Sequence, residues 1–225
     1  NGAGKTTLFD CLSGSLPVAS GTVTLLGEDV TRLAPYRRAE RGLMRSFQSV
    51  RLFPSLTVRE CIAVALETRL KVKSPVFAGL WLPPARAEER RVDERVEELL
   101  ELLQLGALAD TAVASLSLGS RRMVDLACQL AARPKVLLLD EPSAGLAHGE
   151  TELLGPLVSR ISSDLDCAVL IIEHNVQVLA SVADRLVAMS AGVVIAEGAP
   201  PAVLNDPAVR SAYFGARASD LAPSA

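Results

Sequence analysis

The first residues of the chain carry most of a phosphate-binding loop. Gly4, Lys5 and Thr6 stand where the pattern G-x-x-x-x-G-K-[ST] ends, and the backbone N–H groups of such a loop curl around phosphate oxygens. Lys5 would bring a positive charge to the phosphates, and Thr6 a hydroxyl for Mg²⁺. The alternative is a glycine-rich turn before an ordinary helix. The residues predicted to contact a nucleotide here are Asn1, Gly2, Ala3, Gly4, Lys5, Thr6 and Thr7.

Two carboxylates come directly after an apolar run that has the character of a buried strand. Asp140 and Glu141 follow residues 136–139, and parallel sheets bind their ligands beyond the carboxyl ends of the strands. We therefore predict that Asp140 holds Mg²⁺ through water and that Glu141 orients or deprotonates an attacking water. The alternative is a carboxylate pair that caps a helix before Pro142.

Two further polar residues follow predicted strands. Gln48 can offer its amide oxygen to Mg²⁺ or to the attacking water, and His174 can hydrogen-bond a γ-phosphate. Taken alone, Gln48 would be a solvated loop residue and His174 a structural histidine. The predicted catalytic residues are thus Glu141, His174 and Gln48, and the predicted Mg²⁺ ligands are Thr6, Gln48 and Asp140.

A second candidate anion site lies in the middle of the chain. Ser117 and Gly119 precede a helical pattern, so they place a hydroxyl and an unobstructed N–H at a helix N-terminus. One nucleotide rarely needs two helix N-termini from the same subunit. A dimer in which each chain's second site closes over the other's nucleotide would use both. The alternative is a capped helix with a glycine in its first turn.

Composition excludes several classes of protein. The 225 residues carry a net charge of −3 with the basic residues dispersed, so nothing favours a nucleic-acid partner. Mean hydropathy is +0.30, yet the longest strand-like apolar run, residues 167–172, is far too short to cross a bilayer. The four cysteines lie far apart in apolar patterns, which is typical of reduced core thiols in a cytosolic protein.

The periodicity of apolar residues predicts the elements that position these groups. A helix follows the phosphate loop, and a capping box of Thr57 and Glu60 opens another helix. Residues 71–84 lack a clear period and predict an irregular connection. The predicted helices are 5–12, 57–70 and 85–105, with one more after Ser117; the predicted strands are 21–27, 43–47, 136–139, 168–172 and a hairpin of 185–189 with 193–197. The expected fold class is α/β, with a mostly parallel core sheet and a helical insertion at about residues 57–132.

Together, the motifs resemble the nucleotide-binding domain of ABC transporters over essentially the whole chain. Residues 1–7 match the Walker A loop, Gln48 the Q-loop, residues 116–120 the signature motif, residues 139–141 Walker B, and His174 the switch histidine. The resemblance implies a P-loop NTPase core (1–56 and 133–198), a helical subdomain (about 57–132) and a C-terminal extension (199–215). The residues after Gly215 are rich in Ala, Ser and Pro, which predicts a disordered tail at 216–225. The resemblance also implies a head-to-tail dimer with two ATP molecules and Mg²⁺ between Walker A of one subunit and the signature of the other.

Three segments narrow the resemblance to the ATP-binding subunits of branched-chain amino acid importers. They are residues 45–54 around the Q-loop, residues 141–146 after Walker B, and residues 206–215 near the end. The proline-rich insertion at 71–84 resembles the longer of that importer's two ATPase subunits. The resemblance implies a second ATPase subunit, transmembrane permease subunits and, indirectly, a solute-binding protein as partners. It places the chain on the cytoplasmic face of the bacterial plasma membrane, held there by the permease.

The chain departs from the family pattern at three positions. In the signature, Leu118 replaces the common first glycine and Ser120 the usual glutamine, but Gly119 keeps the N–H that would reach phosphate. Function is therefore expected to survive. Ala147 stands where many relatives carry Asp or Asn, a change that bears on communication across the dimer.

The start of the pattern also lies outside the chain. The first glycine of the phosphate loop would precede Asn1, so we expect a fragment that lacks its first strands. The aromatic residue that stacks on adenine in the family would precede Asn1 as well. On this expectation the chain as it stands binds ATP weakly.

Two other functions stay open at this point. A non-transport ABC ATPase that acts on ribosomes or DNA would usually carry two cassettes or long coiled-coil insertions, and neither is visible here. A P-loop kinase or GTPase would leave Ser117 and Gly119 without a role.

Overall fold

The computed structural model of the protein describes residues 2–46, 52–67, 83–143 and 148–214. Its helices and strands alternate in the order expected of an α/β protein. The helices are α1 (Lys5–Ser13), α2 (Pro35–Glu40), α3 (Val58–Glu67), α4 (Pro83–Leu102), α5 (Leu118–Ala131), α6 (His148–Leu165), α7 (Val176–Val182), α8 (Pro200–Asn205) and α9 (Pro207–Phe214). The strands are β1 (Thr24–Leu25), β2 (Glu28–Asp29), β3 (Leu43–Arg45), β4 (Val136–Asp140), β5 (Ala168–Ile172), β6 (Leu186–Ser190) and β7 (Val193–Gly198).

A parallel sheet of order β3-β4-β5 forms the centre of the described fold. β4 is buried on both faces: Leu137 and Leu139 join one hydrophobic cluster and Leu138 joins another. The predicted buried strand over 136–139 is therefore confirmed. Because all three strands run in the same direction, their carboxyl ends deliver residues to one edge of the sheet.

β5 departs from its prediction as a strand covered on both faces. Its bounds are as predicted, but Ala168 and Leu170 are exposed, whereas Val169 and Ile171 pack on the larger cluster. β5 also pairs only with β4 among the described residues, so it is an edge strand there. An uninterrupted apolar sequence therefore does not by itself mean that both faces of the strand are buried.

The predicted helical insertion consists of α3, α4 and α5 together with two short 3₁₀ turns and one isolated bridge between Thr57 and Ala112, as far as the described residues show. The capping box is present: Thr57 N–H donates to Glu60 Oε2 at 2.8 Å, and Glu60 N–H donates to Thr57 Oγ1 at 3.2 Å. α3 ends at Glu67, and the last predicted positions, 68–70, lie outside the described residues.

α4 begins and ends earlier than predicted. It starts at Pro83, so the last two residues of the predicted irregular connection 71–84 are helical, and the rest of that connection lies outside the described residues. Proline fits the first turn of a helix because the N–H it lacks has no partner there. The helix stops at Leu102 because Gln104 is left-handed (φ 56°). Its N–H bonds to Glu101 O at 3.2 Å and Leu105 N–H bonds to Leu100 O at 2.8 Å, the two bonds of a Schellman motif.

The predicted strand over 21–27 is wrong in its extent. The chain instead forms a tight hairpin of β1 and β2, since Leu26 and Gly27 both have positive φ and reverse it between Leu25 and Glu28. α2 was not predicted.

The predicted strand 43–47 is β3, which ends at Arg45; position 47 lies outside the described residues. The C-terminal hairpin of β6 and β7 is confirmed, with its turn at Ala191 and Gly192, and α8 and α9 pack on it.

All four cysteines are free thiols, as expected. Burial raises the pKa of Cys128 to about 12 and that of Cys167 to about 11, so both stay protonated near neutral pH. Cys61 and Cys167 are buried, whereas Cys11 and Cys128 are only partly buried; Cys128 packs against the larger hydrophobic cluster. Within the described ranges, no helix has both the length and the apolar character needed to span a membrane.

A buried arginine fixes the end of α1. Arg38 is 1% exposed, and its guanidinium donates to Cys11 O and Leu12 O, both at 2.7 Å. It also donates to Thr31 O at 2.8 Å and to Leu33 O at 3.1 Å. The last carbonyls of a helix have no partner within the helix and carry partial negative charge, so a cation there satisfies them and favours the dipole.

We expect the substitution Arg38→Met to lower the free energy of unfolding by about 2–4 kcal/mol, because it leaves four partly buried carbonyls without this donor. Arg38→Lys keeps the charge but lacks the guanidinium fork, so it should recover only part of this loss. Urea unfolding followed by circular dichroism measures both.

The matched control is Arg37→Met, which removes the same charge from an exposed ion pair with Glu40 on the same helix. It should cost at most about 1 kcal/mol. Equal losses for the variants at positions 37 and 38 would show that the carbonyl contacts do not hold α1.

Candidate nucleotide-binding site

The phosphate loop ends in an uncapped helix N-terminus. Gly4 is the N-cap of α1 in a left-handed conformation (φ 88°) and makes no side-chain cap, and the first turn of the helix holds no acidic residue. Lys5 is partly exposed, and Thr6 and Thr7 are exposed. The free N–H groups and the positive end of the helix dipole therefore face solvent, an arrangement that suits phosphate.

The loop rests on the turn between β6 and β7. Gly192 N–H donates to Ala3 O at 3.1 Å, and a Cβ built on Gly4 would lie 3.3 Å from Gly192 Cα. Any other residue at position 4 would meet both this close backbone approach and the cost of a positive φ. The sequence gives no sign of this contact, because the two glycines lie at opposite ends of the chain.

Asp140 ends β4 with a buried carboxylate, its side chain 2% exposed. Its N–H donates to Ser46 Oγ at 3.0 Å, and its Oδ2 lies 3.4 Å from Arg45 Nη2. Burial raises the pKa of Asp140, and the positive charge of Arg45 opposes that rise. Its other oxygen, Oδ1, is buried without a hydrogen-bond partner in the described structure.

That unpaired oxygen fits a magnesium site that the nucleotide completes. Mg²⁺ usually takes one or two carboxylates together with phosphate oxygens and waters, rather than a cage made wholly of protein. Among the described residues, no group of three or more His, Cys, Asp or Glu side chains is placed to hold a metal. One buried carboxylate oxygen, with a threonine hydroxyl on the phosphate-loop helix, is the donor set expected for Mg²⁺–nucleotide.

Glu141 and His174 meet directly, although 33 residues separate them in the chain. His174 Nε2 lies 2.6 Å from Glu141 Oε1, and both side chains are partly exposed. Glu141 is held left-handed (φ 51°), and its N–H donates to Ile172 O at 2.8 Å. A non-glycine residue in this conformation carries strain of order 1 kcal/mol or more, which the neighbouring strand ends must offset.

Glu173 is a site residue that sequence reasoning missed. Its buried carboxylate accepts from Ser143 N–H at 2.7 Å through Oε1 and from His174 N–H at 3.0 Å through Oε2. It therefore bridges the turn after Glu141 to the start of the histidine loop. The rule that selected Asp140 and Glu141, a carboxylate just beyond an apolar strand, applies equally to Glu173 after Ile172 and would have found it.

Ser117 and Gly119 form a separate feature at the start of α5. Ser117 Oγ accepts from Ser120 N–H at 3.1 Å and lies 3.0 Å from Ser120 Oγ, so the hydroxyl caps its own helix. Ser117 and Leu118 are exposed, whereas Gly119 is buried. The contacts described for Ser117 are all within its own helix. They are compatible with the capped helix and with an anion site that a second subunit would complete.

Three predicted positions cannot be placed. Asn1, Gln48 and Ala147 lie outside the described residues. The structure brings together Glu141 and His174, and it links Asp140 to α1 through Arg45, whose other carboxylate partner is Asp10.

Comparison with known proteins gives this geometry a family context. A sequence model described as "ABC transporter" matches residues 1–144, and one described as "Branched-chain amino acid ATP-binding cassette transporter" matches residues 193–219. The high-affinity branched-chain amino acid transport ATP-binding protein BraF of Pseudomonas aeruginosa is 37% identical over 216 residues, 96% of this chain and 84% of the relative. LivG of Escherichia coli (strain K12), which bears the same description, is 35% identical over 217 residues, with the same shares of each chain.

A solved structure matches as well. The ADP conformation of MJ1267, described as an ATP-binding cassette of an ABC transporter, aligns with a TM-score of 0.76 and 30% identity. The alignment covers 96% of this chain and 85% of that one. The match in structure therefore extends over the same share of the chain as the match in sequence.

We expect Glu173→Gln to lower the free energy of unfolding by about 1–3 kcal/mol, because the new NH₂ group must face one of the two backbone N–H donors and leave it unpaired. Thermal and urea unfolding, monitored by circular dichroism, measure the loss. Glu28→Gln is the control, since Glu28 makes an exposed ion pair with Arg41 whose loss should cost about 1 kcal/mol or less. If Glu173→Gln is as stable as the control, the bridge between the two loops does not contribute.

Proposed function

Because this chain belongs to the ABC transporter family and is an ATP-binding, ATP-hydrolysing subunit of that family, we propose that it energises the import of branched-chain or related amino acids. The cargo rests on the relatives BraF and LivG and on the family model that matches residues 193–219. The observation that carries the hydrolytic role is the contact of Glu141 with His174 beside the buried Asp140, at the carboxyl ends of β4 and β5.

Each residue of the site has a part in this proposal. Mg²⁺–ATP, when bound, supplies the phosphoryl group and the positive charge that a buried carboxylate needs. Lys5 and the backbone N–H groups from Asn1 to Thr7 hold the phosphates, and the ligands proposed for Mg²⁺ are Thr6, Gln48 and Asp140. Positioned charges and dipoles of this kind provide most of the catalysis of phosphoryl transfer.

Glu141 is the group proposed to act on the attacking water. Its carboxylate orients the water and accepts its proton, and His174 holds the carboxylate in place while it steadies the γ-phosphate. Gln48 is proposed to offer its amide oxygen to the same water or to Mg²⁺. The left-handed backbone of Glu141 supports this role, because it turns the carboxylate out of the sheet toward the histidine.

The proposal includes a dimer with two shared nucleotide sites. The start of α5, with the exposed Ser117 and the buried Gly119, would close over the nucleotide bound to the phosphate loop of a second ATPase subunit. ATP binding would close the pair and hydrolysis would reopen it. The remaining partners proposed are transmembrane permease subunits and, through them, a solute-binding protein, with the ATPase on the cytoplasmic face of the membrane.

No observation favours the alternative of a ribosome- or DNA-acting ABC ATPase. The relatives cited are both described as transport proteins, and the net charge of −3 gives no electrostatic reason to bind nucleic acid.

We expect Glu141→Gln in the full-length protein to bind ATP with nearly unchanged affinity and to hydrolyse it at least 100-fold more slowly, since the amide cannot accept the proton of the attacking water. Isothermal titration calorimetry and phosphate release measure the two effects. Cells whose only copy carries this substitution should also lose uptake of radiolabelled leucine. Glu28→Gln, an exposed position with the same change of charge, should leave both activities intact. Hydrolysis by Glu141→Gln within tenfold of the natural rate would count against the proposed base.

The shared sites can be tested by mixing two inactive variants of the full-length chain. Lys5→Ala breaks the phosphate loop and Ser117→Arg blocks the second site, so each variant alone should lose most of its ATPase activity. In a mixed dimer, one shared site carries both changes and the other carries neither. Mixing should therefore restore ATPase activity, whereas mixing either variant with itself should not. If no activity returns, the two halves do not come from different copies of this chain.

A further inference from the structure

Arg45 lies between two carboxylates that belong to different elements of the site. It is the last residue of β3, and its side chain is 10% exposed. Its Nη1 makes a close ion pair with Asp10 Oδ1 on α1 and reaches Ser13 Oγ at 3.2 Å, while its Nη2 lies 3.4 Å from Asp140 Oδ2. The guanidinium carbon also lies 5.8 Å from the centroid of the Phe9 ring. One side chain therefore joins the helix of the phosphate loop to the end of β4.

The geometry of the pairing suits arginine. A guanidinium offers donors in a rigid planar fork, so it can hold two carboxylates in fixed directions, which an ammonium group cannot do. The charge is also needed, because the carboxylate of Asp140 is almost wholly buried and costs free energy unless a cation lies near it. The pairing uses Oδ2 of Asp140 and leaves Oδ1 as the oxygen without a partner.

We propose that Arg45 is a positioning residue for Mg²⁺–nucleotide: it holds Asp10 and Asp140 at one separation, and so sets the place of the phosphate-loop helix relative to the metal-binding carboxylate. This inference rests on the proposed function, because it assumes that Asp140 serves the metal. Arg45 does not touch the nucleotide in this proposal. It acts through the two carboxylates, and its loss should change how well Mg²⁺ strengthens nucleotide binding rather than nucleotide binding itself.

The direction in which Arg45→Met changes the affinity for Mg²⁺ distinguishes a positioning role from simple charge repulsion. A cation beside a metal ligand repels the metal, so if Arg45 only competed with Mg²⁺, then Arg45→Met would raise the affinity for Mg²⁺. A positioning role predicts the opposite, because the loss of residues that orient a metal ligand typically lowers metal affinity 10–100-fold. Arg45→Lys should fall between the natural protein and Arg45→Met.

The experiment measures ADP binding to the full-length protein by isothermal titration calorimetry, over a series of Mg²⁺ concentrations and in EDTA. For Arg45→Met we expect a rise of about 10–100-fold in the Mg²⁺ concentration that gives half of the full increase in ADP affinity. The affinity for ADP in EDTA should stay within about threefold of the natural value. The control Arg41→Met removes the same charge from an exposed ion pair with Glu28 and should leave the Mg²⁺ dependence unchanged. Circular dichroism checks that each variant is folded.

A double-mutant cycle distinguishes the bridge from general destabilisation. In the natural background, Asp10→Asn should raise the Mg²⁺ concentration needed to strengthen ADP binding. In the Arg45→Met background it should have little further effect, because the bridge is already broken there. If Arg45→Met does not fold, the same cycle is made with Arg45→Lys.

An unchanged or lower Mg²⁺ requirement in Arg45→Met, or independent effects at positions 10 and 45, would overturn the inference and leave the proposed function intact. If natural protein showed no ADP binding even with Mg²⁺, the proposed function itself would be refuted and this inference with it.

Discussion

The position of α1 is the constraint on which the site depends. A helix of nine residues is not stable by itself, so contacts with the rest of the fold must hold it. Two arginines do this from different sides: the buried Arg38 binds the carbonyls at the C-terminus of α1, and the partly buried Arg45 binds Asp10 on its side. Gly14 adjoins the first of these contacts, since a Cβ at this position would lie 2.9 Å from the Arg38 guanidinium. The position of α1 therefore depends on contacts with two arginines, one on α2 and one on β3.

The parallel sheet supplies the other half of the site. β4 ends in Asp140 and β5 in Ile172, so two pairs of consecutive polar residues lie at one edge: Asp140 and Glu141 from one strand, Glu173 and His174 after the next. Hydrogen bonds then join these loops to one another, through Glu173 to Ser143 and through His174 to Glu141. Burial on both faces of β4 keeps Asp140 away from water, which destabilises its ionised form and raises its pKa. The positive charge of Arg45 beside it opposes this effect.

Much of this arrangement could be predicted from the sequence, because its parts have short-range patterns. The phosphate loop, the apolar strands, the capping box at Thr57 and the hairpin turn at Ala191 and Gly192 each depend on residues that lie within a few positions of one another. The arginines could not be predicted, since a single arginine carries no period and its partners are distant: Arg45 meets Asp140 only because β3 and β4 are neighbours. The exposure of Ala168 and Leu170 in β5 was missed because an apolar sequence does not say which elements cover each face of a strand. Ser117 caps its own helix, and the same pattern of a hydroxyl at a helix N-terminus also fits an anion site.

The contact between Ala3 and Gly192 has a consequence for biosynthesis. The loop at Ala3 rests on a turn that the ribosome makes much later, after both strands of the parallel pair β4 and β5. During translation the loop at Ala3 therefore lacks its hydrogen bond from Gly192 until that turn has been made. The contacts of α1 with α2 and β3 can form earlier. Such late closure by distant segments slows folding and lengthens the time for which apolar surface is open to chaperones.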